Sequence, residues 1–297
     1  MKRLNLLLMF LVFALCSFAA KPLKVLAIGN SFSEDATEQY LSTLALMGGH
    51  DLLICNLYYP GCSIDQHWEH LSKKKPVYSY RKITIDGHVE RHERHTLDAA
   101  LRDEDWDIIT FQQGSAYSGV WSAYRKLPGL IKMVRGIVGP HPVFYWHQTW
   151  AYAPNSTHEA FKTYKHDQIK MFDAIVECTK KVLASNPELK GLIPCGTAIQ
   201  DARTSELGPD LTRDGYHLDK GVGRYIASCT WYAALFSHPF TLMSFLPQGM
   251  TVDQGILARE AVTAAIIHPY QITPVTLPTA NPTPEPSPTP ASALQPK

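Results

Sequence analysis

Short apolar runs alternate with amphipathic segments along the middle of the chain. The apolar runs cover 23–28, 51–59, 107–111 and 142–146, and each has the length of a buried strand. Between and after them, apolar residues recur at steps of three and four, as they do on one face of a helix. Strands that alternate with helices predict a three-layer α/β/α fold around a parallel sheet.

Caps and periodicity predict several of the helices. Ser156 and Glu159 have the spacing of a capping box, which predicts the start of the longest helix, and its apolar periodicity continues to Val182. The segments 221–236 and 256–267 are also predicted to be helical. No internal repeat accompanies these elements.

One pair of strands carries a hairpin signal instead of a crossover. Asp86 and Gly87 separate the segment 77–85 from a second strand that begins at Val89. An Asp-Gly pair between two strands is typical of a tight β-turn. Thr96 then has the position of an N-cap for a short helix.

The first twenty residues have the composition of an export signal. A basic start, Lys2 and Arg3, precedes an apolar stretch over 4–15, and small residues follow. This order predicts cleavage near Ala19 or Ala20 and a protein that is secreted or periplasmic. The apolar stretch is too short for a transmembrane helix.

Cys16 raises the alternative of a lipid anchor at the processed N-terminus. Leu15 occupies the position before it, where a lipoprotein signal has a small residue. Ordinary cleavage is therefore favoured over lipid attachment.

The last part of the chain differs in composition from the rest. Residues 274–297 alternate Pro with Thr, Ser and Ala, which predicts an extended, solvated tail. It could be a disordered end or a hydroxyl-rich stalk. A single catalytic domain is predicted between signal and tail, over 21–273.

Charge and cysteine content exclude several classes of protein. The chain has 28 Lys and Arg against 27 Asp and Glu, so it lacks the basic surface of a nucleic-acid-binding protein. Five cysteines remain after the signal, without Cys-x-x-Cys spacing, which argues against a zinc knuckle and a dense disulfide framework. One or two disulfides remain open.

Candidate chemistry begins where the first strand ends. Gly29 and Asn30 break the strand, and Ser31 follows at the start of a predicted helix. Open α/β sheets place their sites at this end of the strands. Far downstream, Asp214 and His217 stand three residues apart, close enough for the acid to hold the imidazole ring. A serine, a histidine and an acid are the nucleophile, base and orienting group of a serine hydrolase.

A serine nucleophile also needs hydrogen-bond donors for the oxyanion. The amides of Ser31 and of Gly61, at the end of the second strand, are predicted to supply two. Each residue alone has a structural explanation, since Ser31 could cap a helix and His217 could be a core histidine. Their joint appearance at element boundaries favours catalysis.

Two segments carry a family resemblance. Residues 29–33, GNSFS, resemble the Gly-Asp-Ser-Leu block of the SGNH (GDSL-type) hydrolase superfamily, and 214–218, DGYHL, resemble its Asp-x-x-His block. The likeness extends over about 24–236 and is greatest to a secreted branch with Gly-Asn-Ser-Phe-Ser. It implies a flavodoxin-like fold, no metal or other cofactor, and hydrolysis of lipid esters, thioesters or acetylated sugars. It also implies catalytic roles for Ser31, Asp214 and His217, and an oxyanion role for Gly61.

One block departs from that family. Its third oxyanion donor is an asparagine, but Ala116 stands there in this chain. The carboxamide of Gln112 or Gln113 could reach the same place, and Gln113 is the predicted donor. The alternative is that both glutamines satisfy loop backbone.

The segments after the third and fourth buried strands are predicted to line the site. The predicted substrate-binding residues are Gln112, Tyr117, His147, Gln148 and Trp150. Flat aromatic surfaces beside polar groups suit a sugar ring. The alternative is that the aromatic rings belong to the core.

A metal site is not predicted. His88, His92 and His95 have suggestive spacing, but in a hairpin strand the first two share a face and the third points away. Cys62 has no neighbour in sequence that would activate its thiol.

These features predict a secreted serine esterase that forms an acyl-enzyme on Ser31. The preferred substrate is an O-acyl ester, in particular an O-acetyl ester, of a carbohydrate or small molecule, and no nucleic-acid partner is expected. Two alternatives remain: a non-catalytic carbohydrate-binding protein on the same fold, and a lipase or thioesterase with the same nucleophile.

Overall fold

The computed structural model describes residues 21–236 and 245–278. The predicted export signal, 1–20, and the tail from residue 279 onward lie outside the described residues and stay predictions. Within the described part, a central seven-stranded sheet is covered by helices, with the strand order β4-β3-β2-β1-β5-β6-β7.

The seven strands of the described residues include the four predicted apolar runs, as the first, second, fifth and sixth strands, and the predicted hairpin, as the third and fourth. They are β1 (Leu23–Gly29), β2 (Leu52–Tyr58), β3 (Tyr78–Ile83), β4 (Val89–His95), β5 (Ile108–Phe111), β6 (Val143–His147) and β7 (Leu189–Ile193). The helices are α1 (Ser31–Thr37), α2 (Leu41–Met47), α3 (Ile64–Ser72), α4 (Leu97–Asp103), α5 (Leu127–Val138), α6 (Gln168–Ser185), α7 (Cys195–Ala202), α8 (Val222–Phe236) and α9 (Val252–Ile267). Three short 3₁₀ helices cover Ser115–Tyr117, Trp121–Tyr124 and Glu159–Tyr164.

The sheet is mixed. Five strands, β2, β1, β5, β6 and β7, are parallel to one another, while β3 pairs antiparallel with β2 and forms an antiparallel hairpin with β4 at one edge. The predicted α/β fold is confirmed, and the hairpin signal at Asp86 and Gly87 accounts for the antiparallel part. Thr96 caps α4 by accepting a hydrogen bond from the amide of Ala99.

Two apolar cores cover the two faces of the sheet. Val25 and Ala27 of β1 face one core, and Leu26 and Ile28 face the other. Because side chains alternate along a strand, one buried strand supplies both cores. This burial holds the carboxyl end of β1, which precedes Ser31, at the centre of the molecule.

The longest helix begins later than the sequence predicts. Ser156 and Glu159 do not open it, since α6 starts at Gln168 with Asp167 as the N-cap. Lys165 and His166 lie between the 3₁₀ helix and α6 with φ values of 58° and 54°. Two consecutive left-handed residues interrupt a helix, so the capping-box prediction was wrong.

The chain after α9 returns to the domain surface. The amide of Thr273 donates to Asp201 Oδ1 at 2.7 Å, and the amide of Val275 donates to Thr204 Oγ1 at 2.9 Å. Val275 is buried, although the sequence places it in the tail. Packing of the chain therefore continues past residue 273.

The cysteines of the described residues are all buried and unpaired: Cys55, Cys62, Cys178, Cys195 and Cys229. The disulfides that the sequence left open are absent from this part of the chain. None of the helices in 21–236 and 245–278 is long and apolar enough to cross a bilayer.

Two fully buried histidines, His67 and His147, predict acid sensitivity. Burial lowers the pKa of each ring from 6.5 to about 3. The unfolded chain takes up these protons below pH 6.5 and the folded chain does not, so the free energy of unfolding falls as pH decreases toward 3. The expected loss is about 2 kcal/mol for each ring at pH 5.

Chemical denaturation of the wild type and of His147→Gln at pH 7 and pH 5 measures this effect. The variant should lose less stability between the two pH values than the wild type. His268→Gln is the control, because His268 is exposed; this variant should lose about as much stability between the two pH values as the wild type. A loss of stability in His147→Gln as large as that in the wild type would contradict the prediction.

Candidate active site

Ser31 is presented by a sharp turn between β1 and α1. Asn30 is the N-cap of α1, and its Oδ1 accepts a hydrogen bond from the amide of Phe32 at 2.9 Å. A side chain at Gly29 would collide with Ser33, so glycine is needed where the strand passes the helix. Ser31 is the first residue of α1 and is partly exposed.

The side chain of Asn30 fixes this turn from the inside. Its Nδ2 donates to the carbonyl of Cys62 at 3.1 Å, and its Oδ1 accepts from Gln112 Nε2 at 2.7 Å. These bonds tie the turn that carries Ser31 to the segments after β2 and β5. Asn30 is buried, and a buried polar side chain whose hydrogen bonds are satisfied is held rigidly in place.

The acid and the imidazole come from one tight loop before α8. Asp214 Oδ1 accepts hydrogen bonds from the amides of His217, at 2.8 Å, and Tyr216, at 3.2 Å. Gly215 has φ of 89°, a conformation that suits glycine. The loop closes on its own acid, which leaves the second carboxylate oxygen free to hold the ring.

Ser31, His217 and Asp214 form one hydrogen-bonded chain. His217 Nε2 lies 2.9 Å from Ser31 Oγ, and His217 Nδ1 lies 2.7 Å from Asp214 Oδ2. A proton on Nδ1, held by the carboxylate, leaves Nε2 as an acceptor for the serine proton. The structure thus brings together three side chains that the sequence separates by 186 positions.

The environment of Asp214 keeps it ionised. Partial burial raises the pKa of this carboxyl, but hydrogen bonds from the His217 ring and from the backbone amides of His217 and Tyr216 outweigh that effect. The net result is a pKa below the ordinary value. The negative charge remains in place to stabilise an imidazolium on His217.

Aromatic side chains pack against the loop that carries Asp214 and His217. Trp150 stacks on Phe32 with ring centroids 4.2 Å apart, and its Nε1 donates to the carbonyl of Tyr216 at 2.8 Å. The ring centroids of Phe32 and Tyr216 lie 6.1 Å and 4.2 Å from the centroid of the His217 ring. Trp150 is fully buried, so the prediction that it contacts substrate was wrong, and it serves as structural support.

Gly61 lies close to the turn that carries Ser31. It is exposed, has φ of 60°, and precedes Cys62, whose carbonyl is bound by Asn30. A Cβ at Gly114 would lie 2.9 Å from the Gly61 carbonyl, so the segment after β5 packs directly on this turn. These contacts tie the turn at Gly61 to the turn that carries Ser31 through Asn30 and Cys62.

Gln113 is held by loop backbone, which argues against its predicted oxyanion role. Its Nε2 donates to the carbonyl of Ala123 at 2.9 Å, and its Oε1 accepts from the amides of Ile64 and Gly114, each at 2.9 Å. Both the nitrogen and the oxygen of this buried carboxamide are bound to loop backbone. These contacts favour the alternative, in which Gln113 satisfies loop backbone.

Three other predicted substrate contacts are internal. Gln112 bridges Asn30 and His147, with Gln112 Oε1 at 2.7 Å from His147 Nδ1. Gln148 Oε1 accepts from the amide and the hydroxyl of Thr197, both at 3.0 Å. All three side chains are 2% exposed or less, and their burial rules out direct contact with a ligand in this conformation.

Tyr117 differs from that group. Its side chain is 49% exposed, in the 3₁₀ helix after β5. Of the five predicted substrate-binding residues, it alone presents a ring to solvent.

Several residues near the triad were not predicted. The ring of His158 meets that of Tyr216 edge-on at 4.9 Å, and Tyr152 packs against both. Ser115 Oγ lies 3.0 Å from the Tyr152 hydroxyl. Tyr216 had a signal, because it lies between Asp214 and His217, whereas nothing local marks His158.

The three hairpin histidines do not form a metal site. His92 and His95 contact the ring of Tyr80 on the neighbouring strand. In the described ranges, no three His, Cys, Asp or Glu side chains are grouped so that they could hold a metal ion.

The chain is similar to a solved structure over most of its length. A crystal structure at 1.50 Å resolution of a DUF4886 family protein from Bacteroides uniformis ATCC 8492 is 43% identical, with a TM-score of 0.83. The match covers 85% of this chain and 97% of that one. No curated protein matches the chain.

Two more distant structures are similar to the chain at low sequence identity. A proposed SGNH hydrolase from Slackia heliotrinireducens is 15% identical with a TM-score of 0.45, over 72% of this chain and 99% of that one. LAE5, an alpha/beta hydrolase enzyme from the metagenome of Lake Arreo, Spain, is 14% identical with a TM-score of 0.47, over 73% and 96%. Activity must therefore be argued from the residues of this chain.

The family is established by a match along most of the chain. The family model described as "Domain of unknown function (DUF4886)" matches residues 24–265. These residues include the sheet, the serine turn and the Asp-x-x-His loop. This chain belongs to the DUF4886 family.

Proposed function

We propose that this protein is a serine esterase in which Ser31 is the nucleophile. The observation that carries the proposal is the hydrogen-bonded chain from Ser31 Oγ through His217 to Asp214. A serine hydroxyl is a weak nucleophile unless a base takes its proton as it attacks. His217 Nε2 is in position to do so, and Asp214 holds the ring with its proton on Nδ1.

The reaction proceeds in two halves. Ser31 Oγ attacks the ester carbonyl while its proton moves to His217, and the protonated ring then gives that proton to the departing alcohol. A water molecule attacks the acyl-enzyme with His217 again as the base, which releases the acid and restores Ser31. Every proton removed from a nucleophile is returned to a leaving group.

The oxyanion is assigned to backbone donors. The amide of Ser31 belongs to the unpaired first turn of α1, and the exposed Gly61 turn lies beside it. Donors of this kind are each worth about 100- to 1,000-fold in rate. With Gln113 bound to loop backbone, no side-chain donor is assigned.

The proposed substrate is a short O-acyl ester, in particular an O-acetyl ester, on a carbohydrate. Three rings with polar groups support this choice. Tyr216 and His158, near the loop that carries the triad, are partly exposed, and Tyr117, after β5, is exposed. Such rings suit a sugar better than a long acyl chain. The predicted export signal, which would deliver the enzyme to extracellular or periplasmic glycans, also favours it.

Chain-length preference tests this substrate class. Purified protein should hydrolyse p-nitrophenyl acetate with kcat/KM at least about tenfold higher than p-nitrophenyl octanoate, since each added methylene must find apolar surface to gain binding. It should also release acetate from O-acetylated xylan. A rate that rises with acyl length would favour a lipase or thioesterase, and glycan binding without any turnover would favour a binding protein.

A further inference from the structure

We propose that Asp35 is a positioning residue that sets the contact between His217 and Ser31. It does so by joining the helix that carries the serine to the loop that carries the imidazole and the acid. The inference rests on the proposed function, and it assigns Asp35 no contact with the reacting atoms.

Asp35 lies one helical turn after Ser31 in α1, and its side chain is fully buried. Its Oδ2 accepts a hydrogen bond from the amide of Leu218 at 2.8 Å. Its Oδ1 accepts from Arg213 Nη1 at 3.0 Å. Arg213 directly precedes Asp214, and Leu218 directly follows His217, so one carboxylate holds both ends of the catalytic loop.

The loop is closed between those two ends. The amide of Arg213 donates to the carbonyl of His217 at 2.9 Å, and Thr212 pairs with Leu218 as an antiparallel bridge. The Arg213 guanidinium also donates to the carbonyl of Leu218. The loop is thus a small closed unit, and Asp35 attaches its base to α1.

The charges around Asp35 are arranged to keep this link. Arg224 of α8 contacts Asp35 Oδ1 at 2.5 Å and is the second guanidinium on the same carboxylate. Burial nevertheless raises the pKa of Asp35 against the effect of both arginines. A buried carboxylate with a raised pKa costs folding free energy at neutral pH, so its presence here is better explained by the geometry that it fixes than by stability.

That geometry controls the catalytic contact. Ser31 and His217 belong to separate parts of the chain, and their 2.9 Å contact depends on how the loop sits on α1. A displacement of about 1 Å in such a contact can reduce a rate by about 100-fold. Loss of the charged link should therefore slow the chemical step without removing any catalytic group.

Asp35→Asn tests the proposal, because asparagine has the same shape and can still accept from the Leu218 amide but loses the charge that holds Arg213. We expect kcat for p-nitrophenyl acetate to fall about 10- to 100-fold while KM changes less than about threefold. The rate of labelling by a fluorophosphonate should fall by the same factor.

Glu38→Gln is the matched control. Glu38 caps the carboxyl end of α1 and pairs with Arg81 at 3.3 Å. Its substitution therefore removes a half-buried charge from the same helix without touching the loop over 212–218. Its kcat should stay within about threefold of wild type. Arg213→Met is a second test of the link, and it should not add to the effect of Asp35→Asn in the double variant.

Proton NMR gives a readout that does not depend on substrate. The hydrogen-bonded Nδ1 proton of His217 should give a downfield resonance in wild type and in Glu38→Gln, and exchange should broaden it in Asp35→Asn. If Asp35→Asn lowers Tm but keeps the wild-type kcat, labelling rate and resonance, the residue is merely structural and the inference is wrong. A wild type that neither labels nor hydrolyses esters would instead overturn the proposed function.

Discussion

Replacement of Ser31 by alanine is expected to lower ester hydrolysis by at least about 10⁴-fold. In the proposed mechanism this hydroxyl forms the acyl-enzyme, so its loss leaves only the weak effect of the oxyanion donors on attack by water. The fold should survive, because Ser31 is partly exposed and Asn30 provides the helix cap. Steady-state kinetics with p-nitrophenyl acetate, together with Tm, measure both parts.

Ser72→Ala serves as the control for this variant. Ser72 is an exposed serine at the end of α3 that bonds only to its own helix and to Met133. It should keep wild-type kinetics. Equal rates for wild type and Ser31→Ala, after subtraction of uncatalysed hydrolysis, would remove Ser31 from the mechanism.

Replacement of His217 by alanine is expected to have an effect of similar size, about 10⁴-fold or more on kcat. Without the imidazole, Ser31 keeps its nucleophilic atom but has no base within reach. The variant should therefore lose labelling by a fluorophosphonate as well as ester hydrolysis, although Ser31 is still present.

His158→Ala distinguishes a specific base from a general effect of histidine near the site. His158 contacts Tyr216 and is partly exposed, but no hydrogen bond joins it to Ser31 or Asp214 in the described residues. Its substitution should change kcat less than about tenfold. If His158→Ala abolished activity and His217→Ala did not, the assignment of the base would be reversed.

Most of the fold follows from patterns that are local in sequence. The apolar runs of β1, β5 and β6 are recognisable because a strand buried on both faces has few polar positions. The hairpin follows from its Asp-Gly turn. The start of α6 could not be predicted, because Ser156 and Glu159 satisfy a capping pattern while the backbone at Lys165 and His166 adopts a left-handed conformation for reasons outside that pattern.

Only part of the candidate site could be predicted, because the position of a residue at an element boundary does not fix where its side chain points. Ser31, Asp214 and His217 stand at element boundaries where their chemistry requires them. Gln112, Gln113 and His147 stand at equivalent boundaries, but the orientation of their side chains depends on partners from distant segments such as Asn30 and Ala123. Polar residues at a sheet edge can bind substrate or support the loops, and only tertiary contacts separate the two uses.

Asp35 illustrates what spacing alone cannot provide. Its place four residues after Ser31 is consistent with an ordinary polar helix position. Its partners lie 178 and 183 residues away, so the link to Arg213 and Leu218 appears only once the chain is folded.

Active-site labelling of the intact wild-type protein tests the central claim most directly. Incubation with a fluorophosphonate, followed by mass spectrometry of the protein and of its peptides, should show one adduct per molecule, located on Ser31. Folded protein that takes up no adduct, or that carries it on a residue other than Ser31, would contradict the account.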